Sequence, residues 1–145
     1  MKRILFILIS LYIGILAACA ANIPHLLPWP QKVAWNGKKF QYRGTFVSLT
    51  ENFCSIGMEQ PAGNKITGNP SLSVKWVEDF PDIPLNRNEA YKLRVTSKGV
   101  EIEAITETGV YRAIQTLRQL TEKKGNGIAI TGCEITDWPA FRIRG

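Results

Sequence analysis

The chain has 145 residues, 45% hydrophobic and 21% charged, which fits one globular domain and excludes a disordered or fibrous chain. The formal net charge is +6, but no basic run is longer than the pairs Lys38-Lys39 and Lys123-Lys124. A nucleic-acid surface would show a denser basic stripe with interleaved aromatics, so no nucleic-acid partner is expected.

In chain order, the first residues read as an address. "MKR" supplies a positive start, and Ile4 to Leu16 form a run of 13 mostly apolar residues, short of the about 18 to 20 that a membrane span needs. The run ends in Leu16-Ala17-Ala18-Cys19. Leu-small-small-Cys resembles the bacterial lipobox, which implies a lipoprotein signal over 1–18, lipidation at Cys19 and anchoring of an exported domain at a membrane. The alternative is ordinary signal-peptidase cleavage before Ala21, giving a secreted protein. Export makes a disulfide between Cys54 and Cys133 an open question, because 79 positions separate them and sequence does not give their distance. His25 is the only His and no Cys-x-x-Cys pair occurs, so neither a metal site nor a cofactor site is expected.

Residues 19–31 form a Pro-rich lead-in, extended rather than helical. Asn36-Gly37 then stands between two apolar-bearing runs and predicts a hairpin with strands at 32–35 and 38–42. "TFVSL" at 45–49 predicts another strand. Gly57, Gly63, Gly68, Pro61 and Pro70 make 50–70 a loop. Leu72, Val74 and Trp76 alternate as a half-buried strand, and "FPDIPLNRN" at 80–88 is a second loop. "AYKLRV" and "VEIEA" flank "TSKG" as a hairpin. Val110, Ala113, Ile114, Leu117 and Leu120 are spaced as one face of a helix, with Thr106 or Thr108 as its cap. Lys123 and Lys124 suit its C-terminus and Gly125 its end. "GIAITGCEI" at 127–135 returns to strand. The expectation is an α+β domain over 32–139, a mainly antiparallel sheet of about five or six strands with one principal helix packed on one face.

No Gly-rich phosphate loop or Gly-x-Ser-x-Gly elbow is present. A triad would have to use His25, in a Pro-rich stretch that positions nothing. Glu101 and Glu103 share the polar side of one strand, about 7 Å apart by strand geometry, and could mimic a glycosidase pair. No second element supplies a partner, so a solvated strand face is the expectation, and Glu78, Asp79 and Asp82 are read the same way. Trp29, Trp35, Trp76 and Trp138 could stack on sugars but more often fill cores. No catalytic residue is assigned.

Three stretches combine into a resemblance: "LPWPQKV" at 27–33, "EAYKLRV" with "TETGVYRAIQTLRQL" at 89–95 and 106–120, and "ITDWPAFRIRG" at 135–145. Their order and spacing resemble the N-terminal accessory domain of family-20 glycoside hydrolases, the β-N-acetylhexosaminidases. One departure is that the family commonly has a helix where this chain has its Gly/Pro-broken 50–70. The resemblance implies that 140–145 starts the first strand of a catalytic (β/α)₈ barrel lying beyond Gly145. It implies that Arg144 grips hydroxyls of a terminal N-acetylhexosamine, a task suited to a planar, permanently charged fork of donors. The implied partners are that barrel, an N-acetylhexosamine-containing glycan and, through Cys19, a membrane. The family's mechanism is substrate-assisted, and its catalytic Asp and Glu fall inside the barrel, so this chain alone is expected to be inactive. The alternative is a stand-alone lipoprotein domain binding glycan or a protein partner through exposed Trp residues.

Overall fold

A computed structural model describes residues 23–53 and 65–141. Cys19, Cys54, Arg144 and the signal segment lie outside the described residues. In chain order the elements are β1 (Lys32–Tyr42), α1 (Phe46–Thr50), β2 (Ile66–Gly68), β3 (Leu72–Trp76), β4 (Tyr91–Val95), β5 (Val100–Ala104), α2 (Glu107–Gln119), β6 (Thr121–Lys124) and β7 (Gly127–Asp137). The strands make one seven-stranded sheet in the order β1-β7-β4-β5-β3-β2, with β6 also paired to β7. The fold is α+β. Pairing is antiparallel except between β3 and β5, which are parallel because the segment 77–90 carries the chain across the sheet to β4.

Period-2 alternation puts one residue set on the helix side. Leu93 pairs with Ile102 and Ile135, and Val74 pairs with Ile102; all four are buried. Over them α2 lays Val110, Ala113, Ile114 and Leu117. Its cap is Thr106, whose hydroxyl accepts from the Gly109 amide at 3.4 Å. Gly109 is required by close approach, since a Cβ there would come within 2.5 Å of the Ala90 carbonyl oxygen. A second, smaller core joins Phe80, Ile83 and Ala90 to Val77, Ile105 and Trp138 at the end of the sheet.

Three expected local structures are corrected. First, 32–42 is one strand, not a hairpin. Both expected arms pair with β7, and Asn36, Gly37 and Lys38 stand against the single residue Gly132. The Asn36 side chain supplies the missing bonds: its Nδ2 donates to Val95 O at 2.8 Å and its Oδ1 accepts from the Lys38 amide at 3.0 Å. Gly37 still takes a positive φ of 69°, so the Asn-Gly pair makes a bulge instead of a turn. A Cβ on Gly132 would collide with Asn36 Oδ1. Second, 45–49 is helical. Thr45 and Ser48 form a reciprocal capping box, each side chain accepting from the other's amide at 3.1 Å, and this local bonding overrides the strand-like composition. Third, Lys123 and Lys124 do not end the helix. Leu120 does, with the Thr121 hydroxyl donating to Leu117 O at 2.7 Å. Residues 121–124 are strand, and Gly125, at φ 57°, opens the two-residue turn into β7. Part of the expected loop over 50–70 is also strand, at Ile66–Gly68.

Candidate functional site

The described residues offer two surfaces with chemistry. The first is the bare side of the sheet, where Glu101 and Glu103 point. A shallow depression there is lined by Lys92, Arg94, Glu101, Glu103, Glu134 and Thr136. Its charges are mutually engaged. Lys75 Nζ lies 2.9 Å from Glu103 Oε1, and Arg94 Nε lies 3.2 Å from Glu134 Oε1. The hydrogen bond and charge of Glu103 hold the Lys75 ammonium above its ordinary pKa. The next strand residue over, Lys92, donates to Asp82 at 3.0 Å, which holds that carboxyl below its usual range, and lies over the Phe80 ring. Glu103 and Glu134 are paired with cations on neighbouring strands, and Glu101 stands opposite Arg94 in the β4–β5 register. The acid-pair idea for Glu101 and Glu103 gives way to a cross-strand ion network.

The second surface is a groove on the helix side, between α2 and the lead-in. Leu27, Pro28, Tyr111, Gln115, Gln119 and the end of β7 at Asp137 line it. The Gln119 side chain grips the lead-in, accepting from the Leu27 amide at 2.8 Å and donating to its carbonyl at 3.1 Å. Asp137 accepts from the Gln31 amide at 3.2 Å and from the Tyr91 hydroxyl at 3.4 Å. Tyr91 also shares a 2.6 Å hydrogen bond with Thr116, and its burial raises the phenol pKa. Arg112 is ion-paired to Glu89. Sequence reasoning missed this groove. Its signal is Tyr111, a large ring on the outward side of a helix whose apolar stripe already faces the core.

His25 is exposed in the lead-in. Of the four Trp side chains, Trp76 is buried, Trp35 and Trp138 pack against the cores, and Trp29 is 57% exposed. A multi-Trp sugar platform is therefore not assembled. Among the described residues no group of three or more His, Cys, Asp or Glu is placed to hold a metal, and no helix is long and apolar enough to cross a membrane. Cys133 is a buried thiol, with burial pushing its pKa up to about 12.

A mixed sheet with a capped helix on one side and a charged face of paired ions on the other defines an α+β domain. Residues 56–138 match the family described as glycosyl hydrolase family 20, domain 2, and the chain belongs to that family. It is similar to a β-N-acetylhexosaminidase of Cellulomonas fimi, 31% identical over 87 residues, covering 59% of this chain and 17% of that protein. Among solved structures, Flavobacterium johnsoniae chitobiase aligns with TM-score 0.59 at 24% identity, over 84% of this chain and 22% of its own. An exo-β-N-acetylglucosaminidase of Vibrio harveyi aligns with TM-score 0.57 at 22% identity, over 85% and 21%. The chain thus spans about a sixth of the curated relative's length, and the likeness to the two solved structures is one of fold.

Proposed function

We propose that this chain is the non-catalytic accessory domain of an exported β-N-acetylhexosaminidase, which removes terminal N-acetylhexosamine from glycans. In this reading the domain packs beside a catalytic barrel supplied by the same polypeptide. Cys19 carries the lipid anchor, Arg144 contributes one grip on the sugar, and acid catalysis and acetamido orientation belong to the barrel. The observation that carries the reading is the match of 56–138 to domain 2 of family 20. It is supported by the bare-face carboxylates Glu103 and Glu134, which are paired with Lys75 and Arg94.

The test is release of chromophore from an aryl N-acetyl-β-glucosaminide. The purified 145-residue chain is expected to give no turnover, and the same chain joined to a family-20 barrel is expected to hydrolyse the substrate. An Arg144→Ala change in the joined protein should weaken sugar binding. Cleavage by the chain alone would overturn the accessory role. Mass spectrometry of the mature N-terminus tests the anchor, which is lost if the chain starts unmodified at Ala21.

A further inference from the structure

We propose that the basic end of the domain, formed by Arg43, Arg118, Lys123 and Lys124, rests on an anionic lipid surface and sets how the domain stands on the membrane. The inference rests on the lipid-anchored reading above, and it adds a second, electrostatic contact and its location.

The fold gathers these four cations from three separate segments. Lys123 and Lys124 stand at the tip of the β6–β7 hairpin, where Lys124 pairs with Gly127 and Lys123 with Ile128. The end of β1 runs along the other edge of β7: Tyr42 pairs with Ile128, and a Cβ on Gly127 would come within 3.3 Å of the Arg43 Cα. With neighbouring strands about 4.8 Å apart, Arg43 and Lys124 are separated by about 10 Å. Arg118 is in the last turn of α2, its guanidinium 5.4 Å from the centre of the Phe46 ring. All four are exposed, and none enters an ion pair among the described residues. The one carboxylate of the hairpin, Glu122, is bound to Lys39 at 2.9 Å. The next acid after Arg43 is Glu51, just before Phe53, where the chain has already crossed to Gly68 of β2. Charges spaced near one Debye length, about 8 Å at physiological salt, add into one field.

The opposite end of the sheet has the reverse character. There Asp79, Asp82 and Glu89 are paired with Arg87, Lys92 and Arg112, while Glu78 and Glu107 enter no ion pair among the described residues. The molecule is therefore polar along its strands, positive where α2 ends and negative where it begins. An anionic surface attracts one end and repels the other, so it orients the domain as well as binding it. The path of the chain puts the tether at the attracted end. Leu26 is buried, and Gln119, at the end of α2, holds the Leu27 amide and carbonyl. Cys19 precedes Leu26 in sequence by seven positions, a reach of at most about 25 Å of extended chain. A lipid on Cys19 holds the basic end within that distance of the headgroups. Acyl chains joined to a basic patch are the two signals that together make attachment to a membrane firm. The tether is what favours a lipid surface over any other polyanion.

The test mixes the processed chain with vesicles of phosphatidylcholine alone, or of phosphatidylcholine with phosphatidylglycerol, and reads flotation and lysine acetylation together. Flotation with phosphatidylcholine alone reports the anchor. Adding phosphatidylglycerol should cut acetylation of Lys123 and Lys124 by about five-fold or more, an effect lost as salt screens the field. Lys92, and Lys65 beside Trp76 at the other end of the sheet, should be unchanged. For a chain that floats, equal labelling on the two vesicles, or protection of Lys65 and Lys92, overturns the basic-end contact while the anchored reading stands. A chain that does not float with phosphatidylcholine overturns the anchor; salt-sensitive flotation with phosphatidylglycerol then supports the contact, and its absence overturns that too. Arg43→Glu, at an exposed site, should weaken the protection of Lys124, and Lys65→Glu should not; equal effects of the two count against the proposal. Stronger protection by duplex DNA than by vesicles at equal phosphate overturns the choice of a lipid surface.

Discussion

On the helix side of the sheet, Leu93 of β4 lies between Ile102 and Ile135; one residue along, on the bare side, Arg94 lies between Glu101 and Glu134. The same strands thus carry a dry surface and a charged one. On the bare side the sign alternates strand by strand, with Lys75 on β3, Glu101 and Glu103 on β5, Lys92 and Arg94 on β4, and Glu134 on β7. The apolar side supplies energy by burial and fixes which way each strand faces, because a slip of one residue would bring Arg94 into the core and Leu93 out of it. The charged side adds matching, by setting opposite signs on neighbouring strands. Stability is expected to come almost wholly from one side and strand order to be reinforced by the other.

The largest effect should come from the apolar side. Ile114 is 2% exposed beneath α2, and Ile114→Ala should cost about 2–5 kcal/mol in urea unfolding, from lost transfer energy plus a cavity. Arg94→Ala, on the other side of the sheet, should move the same transition by no more than about 0.5 kcal/mol. Equal losses at the two positions would break the comparison.

How much of this was legible depends on whether the deciding bonds were local. The β4–β5 hairpin and α2 came through, because alternation at Tyr91, Leu93 and Val95 and the stripe from Val110 to Leu120 are properties of the segment itself. Asn36-Gly37 and Gly125-Asn126 show the opposite. Asn-Gly reads as a turn, yet it is a bulge, because β7 runs past both arms and Val95 O takes the Asn36 amide. Gly125 reads as a helix stop, yet it turns a hairpin, because β7 offers β6 a partner. Neither partner is visible within a short window. The groove was hidden for a related reason: Leu27 and Gln119 are 92 positions apart, and only the fold brings them together. Arg144, placed by family resemblance, lies outside the described residues.

An intermediate effect concerns the thiol on the apolar side. Burial pushes Cys133 from an ordinary 9.0 up to about 12. Below pH 9 the thiol is protonated in both folded and unfolded chains, and its contribution is fully present. As pH rises from 9 toward 12 the unfolded chain ionises and the folded chain does not, so stability falls, by at most about 1.4 kcal/mol per pH unit. Tyr91, raised by burial from 10.0, adds a loss of the same sign. The urea midpoint should therefore decline above about pH 9. Cys133→Ala should flatten the first part of that decline, and Tyr91→Phe the part that starts higher. A slope unchanged in both variants would show that buried neutral groups do not set the alkaline limit of this side.

An effect as small as that of Arg94→Ala should be found at Lys75 and Glu103, where the bare side can be measured against itself. Their side chains are 41% and 27% exposed, so water screens most of the 2.9 Å attraction between them, and ordering the two chains offsets part of what remains. A double-mutant cycle with Lys75→Ala and Glu103→Ala should return a coupling of about 0.2–1 kcal/mol, shrinking as salt rises. The sign with pH is fixed by the ammonium. Its pKa is raised in the folded state above 10.5, so on the alkaline side the coupling is undiminished up to that value and is lost as pH climbs through the folded one. A coupling of several kcal/mol, or one indifferent to salt, would make the bare side a source of stability comparable to the core. The division between an energetic side and a matching side would then no longer hold.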